Sequence, residues 1–439
     1  MINDNVYIPR TIDQELLKWK EDRRHKPLLI RGARQVGKSS AVRHLAKSFK
    51  YFVELNLERD KNLKKIFEGD LSPQRICRDL SVLVSTPIIP GETLLFIDEI
   101  QGSKEAISSL RFFYEDYQQL HVIAAGSLLE FALKDLQSFG VGRIRSLFMY
   151  PFSFNEFLEA QNLTGLLEAK KNASPENPLT EPLHDKLVEQ IRYFHLVGGM
   201  PAAVSLWCQT HNYQECRDVH NDIVQSYMDD FSKYGSKVNP QLLRNVMNVI
   251  AANVCAKFKY ASVANYDSRQ VKEALQLLTM AGVIIPVTHT SANGQPLGAD
   301  ANEKFRKFIF LDTALLLRLH HLKVEDFLLS EPMEFVNKGS LAEMFVGLEL
   351  LKYDNPYEWQ RLYYWQREEP KSQAEVDYVI IRHGDIIPLE VKAGKRGSMQ
   401  SLYLFLEKKG ASYGIRCALE PYSTYEKIRV YPLYAVSEI

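Results

Sequence analysis

The sequence predicts an α/β protein in three parts: a parallel-sheet domain first, a helical and winged-helix-like middle, and a smaller α/β domain at the C-terminus. Three observations carry this reading. Strand-length apolar runs alternate with helical periods up to about residue 150. A glycine-rich loop separates the first run from its helix. Short β-branched and aromatic runs then return after a long helical stretch.

The apolar runs of the first part are Pro27–Arg31, Phe52–Leu55, Thr93–Ile97, His121–Ala125 and Leu147–Tyr150. Several are apolar throughout, as strands of a parallel sheet covered on both faces must be. The intervening Ser39–Lys50 and Lys104–Gln119 have helical spacing. From Pro151 the pattern turns helical, with Ser153–Ala160 and Leu183–Leu196 separated by a polar stretch at 170–182 and broken by Gly198-Gly199-Met200-Pro201. Helices over 241–281, ending with Ser268–Ala281, precede two short strands around Ser291–Pro296, the order of a winged helix and equally of a helical bundle with a hairpin attached. Toward the C-terminus, Gly339–Lys352 and Ser398–Lys409 read as helices. Leu362–Trp365, Ala374–Ile381, Ile386–Val391, Ser412–Ala418 and Arg429–Ala435 read as strands. The domain boundaries this gives are 1–160, 161–238, 239–325 and 326–439.

The 439 residues contain 54 Lys+Arg and 54 Asp+Glu, so no bulk charge draws the protein to nucleic acid, and recognition there needs local patches. Five scattered cysteines (Cys77, Cys208, Cys216, Cys255 and Cys417) lack zinc-site spacing and read as free thiols. No apolar run reaches the ~20 residues of a membrane span, and Met1–Arg10 lacks the core of a signal peptide, so a cytoplasmic location is expected.

Gly32-Ala33-Arg34-Gln35-Val36-Gly37-Lys38-Ser39 fits G-x-x-x-x-G-K-[ST] between a strand and a helix. In that setting glycines let successive amides curl around phosphates, Lys38 reaches the β- and γ-phosphates, and Ser39 binds Mg²⁺. Ser40 opens the helix. About sixty residues on, Leu94-Leu95-Phe96-Ile97 delivers Asp98 and Glu99 to a strand end: Asp98 for the metal, Glu99 to polarise water. ATP and Mg²⁺ are therefore the expected ligands. Ser127, at the next strand end, is a candidate γ-phosphate sensor. Arg143 is a candidate to stabilise transition-state charge.

A second constellation lies near the C-terminus. Glu343 is on a predicted helix, Asp377 on a strand, and Glu390 and Lys392 on another strand, two residues apart and so on one face. Carboxylates and a lysine gathered this way can bind Mg²⁺ and activate water against a phosphodiester. Gln400, on the helix that follows, is a further candidate to line that cleft, and the aromatics Tyr363–Trp365 suit either base stacking or sheet packing.

Taken together, Gly32–Ser39, Leu94–Gln101, Gly126-Ser127, Gly142-Arg143, Tyr150–Phe157, Gly198–Pro201, Gly339–Glu343, Glu375–Asp377 and Glu390–Lys392 resemble a family of bacterial and archaeal AAA-type ATPases with a C-terminal domain of unknown function. The resemblance implies a P-loop ATPase domain and a C-terminal domain similar to restriction-endonuclease-like PD-(D/E)xK nucleases. Asp377, Glu390 and Lys392 fall on that motif and Glu343 on its helix acid; Val376 stands where the motif has proline. The expected function is an ATPase coupled to a domain that binds or cleaves DNA or RNA. The alternative is a non-cleaving, ATP-dependent switch that holds a partner protein. A small-molecule kinase would share the loop but leave the C-terminal third without a role.

Overall fold

The computed structural model describes residues 7–126, 129–134, 142–233, 238–319, 339–367, 369, 374–392 and 399–439. The chain forms two compact units that part between Pro151 and Phe152; 280–282 and 355–359 belong with the first.

The first unit is built on five parallel strands: β1 (Leu28–Arg31), β2 (Tyr51–Asn56), β3 (Thr93–Asp98), β4 (His121–Ala125) and β5 (Arg145–Phe148). Their order is β2-β3-β4-β1-β5. Every residue of β3 and β4 is buried, which is why these runs carry no polar alternation. On one face Leu29, Leu95, Ile97 and Val122 pack on α4 (Pro73–Leu83) and α5 (Lys104–Asp116). Removing a side chain such as Phe113 from that layer costs about 3–5 kcal/mol. Ser103 starts α5 by accepting the Ala106 amide at 3.1 Å. Edge strand β5 is covered by 355–359: Phe148 donates its amide to the Pro356 carbonyl, and the Arg145 guanidinium lies 3.6 Å from the Tyr357 ring centre. Three more helices, α1 (Thr11–Glu21), α2 (Lys38–Ala46) and α3 (Lys61–Lys65), precede α4, and α6 (Leu129–Lys134) follows β4.

The second unit opens with α7 (Phe154–Ala160), started by a reciprocal cap. Ser153 Oγ accepts the Glu156 amide and Glu156 returns the bond to the Ser153 amide. Helices α8 (Thr164–Lys171), α9 (Glu181–Val197), α10 (Pro201–Thr210), α11 (Tyr213–Lys233), α12 (Pro240–Ala252) and α13 (Ser268–Met280) follow. Strands β6 (Ile284–Thr290) and β7 (Ala301–Phe310) then pair antiparallel, giving the predicted helices-then-hairpin order. The hairpin does not stand alone: β6 also pairs in parallel with β8 (Leu362–Gln366), and β8 with β9 (Glu375–Val376).

After α14 (Thr313–Leu319) and α15 (Gly339–Lys352), a second sheet forms in the order β10-β11-β12-β14-β13. Its strands are β10 (Tyr378–Arg382), β11 (Asp385–Val391), β12 (Gly414–Ala418), β13 (Ser423–Tyr425) and β14 (Ile428–Pro432), with α16 (Gln400–Lys409) packed on them. The run Ala374–Ile381, read as one strand, is two. The chain leaves one sheet at Val376 and enters the other at Tyr378. Trp365 packs edge-to-face on Phe405, and Tyr364 is fully buried, so these two aromatics serve the core.

Among the described residues no helix is long and apolar enough to cross a membrane. All five cysteines are free thiols.

Candidate functional site

The phosphate loop takes the backbone its glycines permit. Gly32 (φ 151°) passes so close to the Met149 carbonyl that a Cβ there would meet it at 2.2 Å. Gly37 (φ 95°) starts α2, and the non-glycine Gln35 is held at φ 63°. Helix α2 begins at Lys38, so the amides of its first turn, including Ser39 and Ser40, have no partner within the helix. Val36 is buried, and its carbonyl accepts a 3.1 Å bond from the buried Arg10 guanidinium, which also reaches the Tyr150 carbonyl. The motif does not signal Arg10; only the fold brings it under the loop.

Lys38 is 7% exposed, and its ammonium donates to the carbonyls of Gly32 (2.9 Å) and Ala33 (2.7 Å) inside its own loop. Burial lowers its pKa to about 8, against the opposing pull of Glu99 and Asp98. Ser39 Oγ of α2 donates to Asp98 Oδ2 at the end of β3 at 2.9 Å, although β4 lies between β3 and β1, the strand that leads into the loop. Burial pushes the Asp98 carboxyl up; the Ser39 hydroxyl counters this and neighbouring Glu99 adds to it. A buried acid so disfavoured as an anion suits a cation.

Glu99 turns out of β3 at φ 49° and accepts a 2.5 Å bond from the Gln101 amide. Gln101 is another residue the motif reading left without a role. Its Oε1 is buried with no hydrogen-bond partner among the described residues, and it abuts Gly126 at the end of β4.

Lys38, Ser39, Asp98 and Glu99 are thus brought together as the sequence predicts. Ser127 lies outside the described residues. Arg143 is elsewhere. It precedes the first residue of β5, whose Arg145 is level with Leu28 at the start of β1, whereas the loop leaves the other end of β1. Its guanidinium pairs with Glu115 near the C-terminal end of α5. Arg143 is therefore at the opposite end of the strands from Lys38.

The second unit holds the other predicted constellation. Asp377 occupies the bend between β9 and β10, and its Oδ2 accepts the Val391 amide at 2.8 Å, which ties it to the end of β11. Glu390 and Lys392 share a face as predicted, with Lys392 Nζ 2.5 Å from Glu390 Oε1. Glu343 projects from α15 and bonds not a predicted partner but Lys307 of β7, at 3.0 Å. Lys307, 2% exposed, also pairs with Glu375 and lies 3.9 Å from Asp377. Lys257 reaches Glu375 at 2.6 Å. Gln400 is the first residue of α16.

Burial, then Asp377, raises Glu343 to about 8 and Glu390 to about 7. Burial works against the Lys307 charge, yet Glu343, Asp377 and Glu375 hold its pKa well above the usual lysine value. Among the described residues no three His, Cys, Asp or Glu side chains are grouped so as to hold a metal ion. Sequence reasoning missed Lys307 because nothing in its surroundings in the chain distinguishes it from a surface lysine: the buried end of β7, Lys307–Phe310, is continuous rather than alternating.

Residues 24–158 match a family model described as an AAA domain. Residues 188–326 and 338–436 match two models, each described as a domain of unknown function, DUF8612 and DUF4143. No curated protein sequence matches the chain. Solved structures similar to it include a Walker-type ATPase of Pyrococcus abyssi (16% identity, 72% of this chain and 96% of that one, TM-score 0.47). Others are the Orc1 protein of Aeropyrum pernix in complex with DNA (12%, 71% and 90%, TM-score 0.27) and the RuvB Holliday junction branch migration motor of Thermotoga maritima (15%, 68% and 93%, TM-score 0.30). The five-stranded parallel sheet and the loop wrapped on Lys38 lie within the residues that match the AAA domain model.

Proposed function

We propose that the N-terminal domain binds ATP with Mg²⁺ and hydrolyses it, and that its nucleotide state governs a C-terminal domain that engages nucleic acid. The observation that carries the first half is the 2.9 Å bond between Ser39 and Asp98 beside a loop already closed on Lys38. Ser39 and Asp98 would hold the metal, which when bound supplies positive charge against the phosphates. First-turn amides of α2 and the Lys38 ammonium bind and orient the phosphates, Lys38 exchanging its loop carbonyls for phosphate oxygens. Glu99, once released from Gln101, orients water and accepts its proton. Nucleotide binding and steady-state phosphate release test this: Lys38→Ala is expected to lose binding, and Glu99→Gln to keep binding and lose turnover. A Lys38→Ala protein that binds ATP like the wild type ends the reading.

For the C-terminal domain the acids Asp377 and Glu390 with Lys392 support nucleic-acid cleavage. A second reading, a non-cleaving ATP-dependent switch that holds a partner, is favoured by one observation: both acids already face protein lysines, Glu390 paired with Lys392 and Asp377 3.9 Å from Lys307. Mg²⁺-dependent cleavage of assorted DNA and RNA, lost in Glu390→Ala, is the outcome that selects the first; no cleavage on any substrate selects the second.

A further inference from the structure

The C-terminal centre contains four carboxylates (Glu343, Glu375, Asp377 and Glu390) and three ammonium groups (Lys257, Lys307 and Lys392). Lys307 is the buried one, set where three of the acids converge: 3.0 Å from Glu343, in close contact with Glu375, and 3.9 Å from Asp377. Its position is fixed by the hairpin: β7 pairs Lys307 with Val287 of β6, and its ammonium lies 5.0 Å from the centre of the Tyr364 ring on β8. Carboxylates this close repel one another unless a cation stands among them, and here the protein supplies it.

Two independent features say that the centre is nonetheless suited to a ligand. Glu390 is buried, yet its Oε2 has no hydrogen-bond partner among the described residues. A cavity of about 400 Å³, lined by Asn253, Cys255, Lys257, Ser262 and Glu375 among others, opens on the Glu375 end. Through it Glu375, which pairs with the buried Lys307, is open to a hydrated ion.

We propose that Lys307 is the resident counter-ion of this centre and excludes divalent metal from it: the acids accept a divalent cation only when the Lys307 ammonium withdraws. The exchange is one of charge for charge and needs no other reactant. Lys307 and metal then compete for Glu343, Glu375 and Asp377, and a centre with Lys307 in place is closed to metal-dependent chemistry. This rests on the reading that these acids form one centre, and not on whether the centre cuts nucleic acid.

The test is Mn²⁺ binding to the nucleotide-free full-length chain, followed by electron paramagnetic resonance and by thermal melting, in wild type, Asp377→Asn, Lys307→Met and Lys307→Met/Asp377→Asn. The wild type is expected to show no Mn²⁺ binding that depends on Asp377. Lys307→Met is expected to gain one such ion, bound at least about tenfold tighter than anything the wild type shows there, and to melt higher with Mn²⁺ than without it. The double variant is expected to lose both. Should Lys307→Met fail to fold without metal, Lys307→Met/Glu375→Gln removes one negative charge to match the lost positive one and is expected to take up Mn²⁺ in its place. Asp377-dependent Mn²⁺ binding by the wild type as tight as by Lys307→Met overturns the proposal and leaves the nuclease reading standing. So does a folded Lys307 variant that takes up no Mn²⁺. Absence of cleavage by the wild type sinks the nuclease reading and leaves this proposal intact.

Discussion

Lys38 in the first unit and Lys307 in the second are both buried lysines beside carboxylates, yet they are in opposite states. Lys38 turns to neutral carbonyls of its own loop, so desolvation prevails and its pKa falls to about 8. Lys307 is surrounded by ionisable acids, so attraction prevails over desolvation and its pKa rises well above the usual value. Burial does not set a lysine's state; the charge of its acceptors does. A lysine held by carbonyls keeps its charge available for an arriving anion. One held by carboxylates has it already compensated.

The largest effect that would sharpen this contrast is catalytic. Glu99→Gln is expected to lower turnover by about 10²–10⁴ with nucleotide affinity retained, whereas Glu343→Gln in the second unit should leave ATP turnover unchanged; phosphate release by both proteins decides it. Stability comes next. Lys307→Met leaves buried carboxylates without their cation and is expected to cost about 3–5 kcal/mol, read by denaturant melting. Lys38→Met should cost less than about 1 kcal/mol or stabilise the fold, since it removes a charge that burial disfavours. Equal losses would break the comparison.

A pH series separates the two further. Between about 8 and 10.5 the unfolded chain holds the Lys38 proton and the folded one releases it, so through this group stability rises with pH across that window. Nucleotide binding runs the other way. An anion favours charged Lys38, so affinity measured with chelator and no metal should fall above pH 8 by up to about tenfold per unit. Affinity flat from pH 7 to 10 would remove Lys38 from phosphate contact. The smallest effect is expected at Gln101: Gln101→Ala frees Glu99 from its 2.5 Å bond and should alter turnover only several-fold, on the scale of about 1 kcal/mol for one hydrogen bond.

Much of the first unit is legible in the chain itself. The five strand runs are found within a few residues of their observed ends, because a parallel sheet buried on both faces demands continuous apolar runs. Short α3 and proline-started α4 have no counterpart among the predicted elements, and α1 lies before the first run. In the second unit, Ala374–Ile381 reads as one strand because alternation does not show that the chain changes sheets at Asp377. Arg143 shows the same limit: a motif gives its distance along the chain, but the parallel register puts it at the end of the strands away from the loop.

What the sequence alone determined is the phosphate loop with Lys38 and Ser39, since eight contiguous residues set that geometry through their own backbone, and the acidic strand end at Asp98 and Glu99. Only the tertiary structure decided that Arg10 supports the loop and that Lys307 stands among Glu343, Glu375 and Asp377. The reason is range. Contacts within one turn of chain are dictated by local conformation, whereas Lys307 and its acids, 36 to 70 positions apart, meet through the pairing of β6 with β7 and β8.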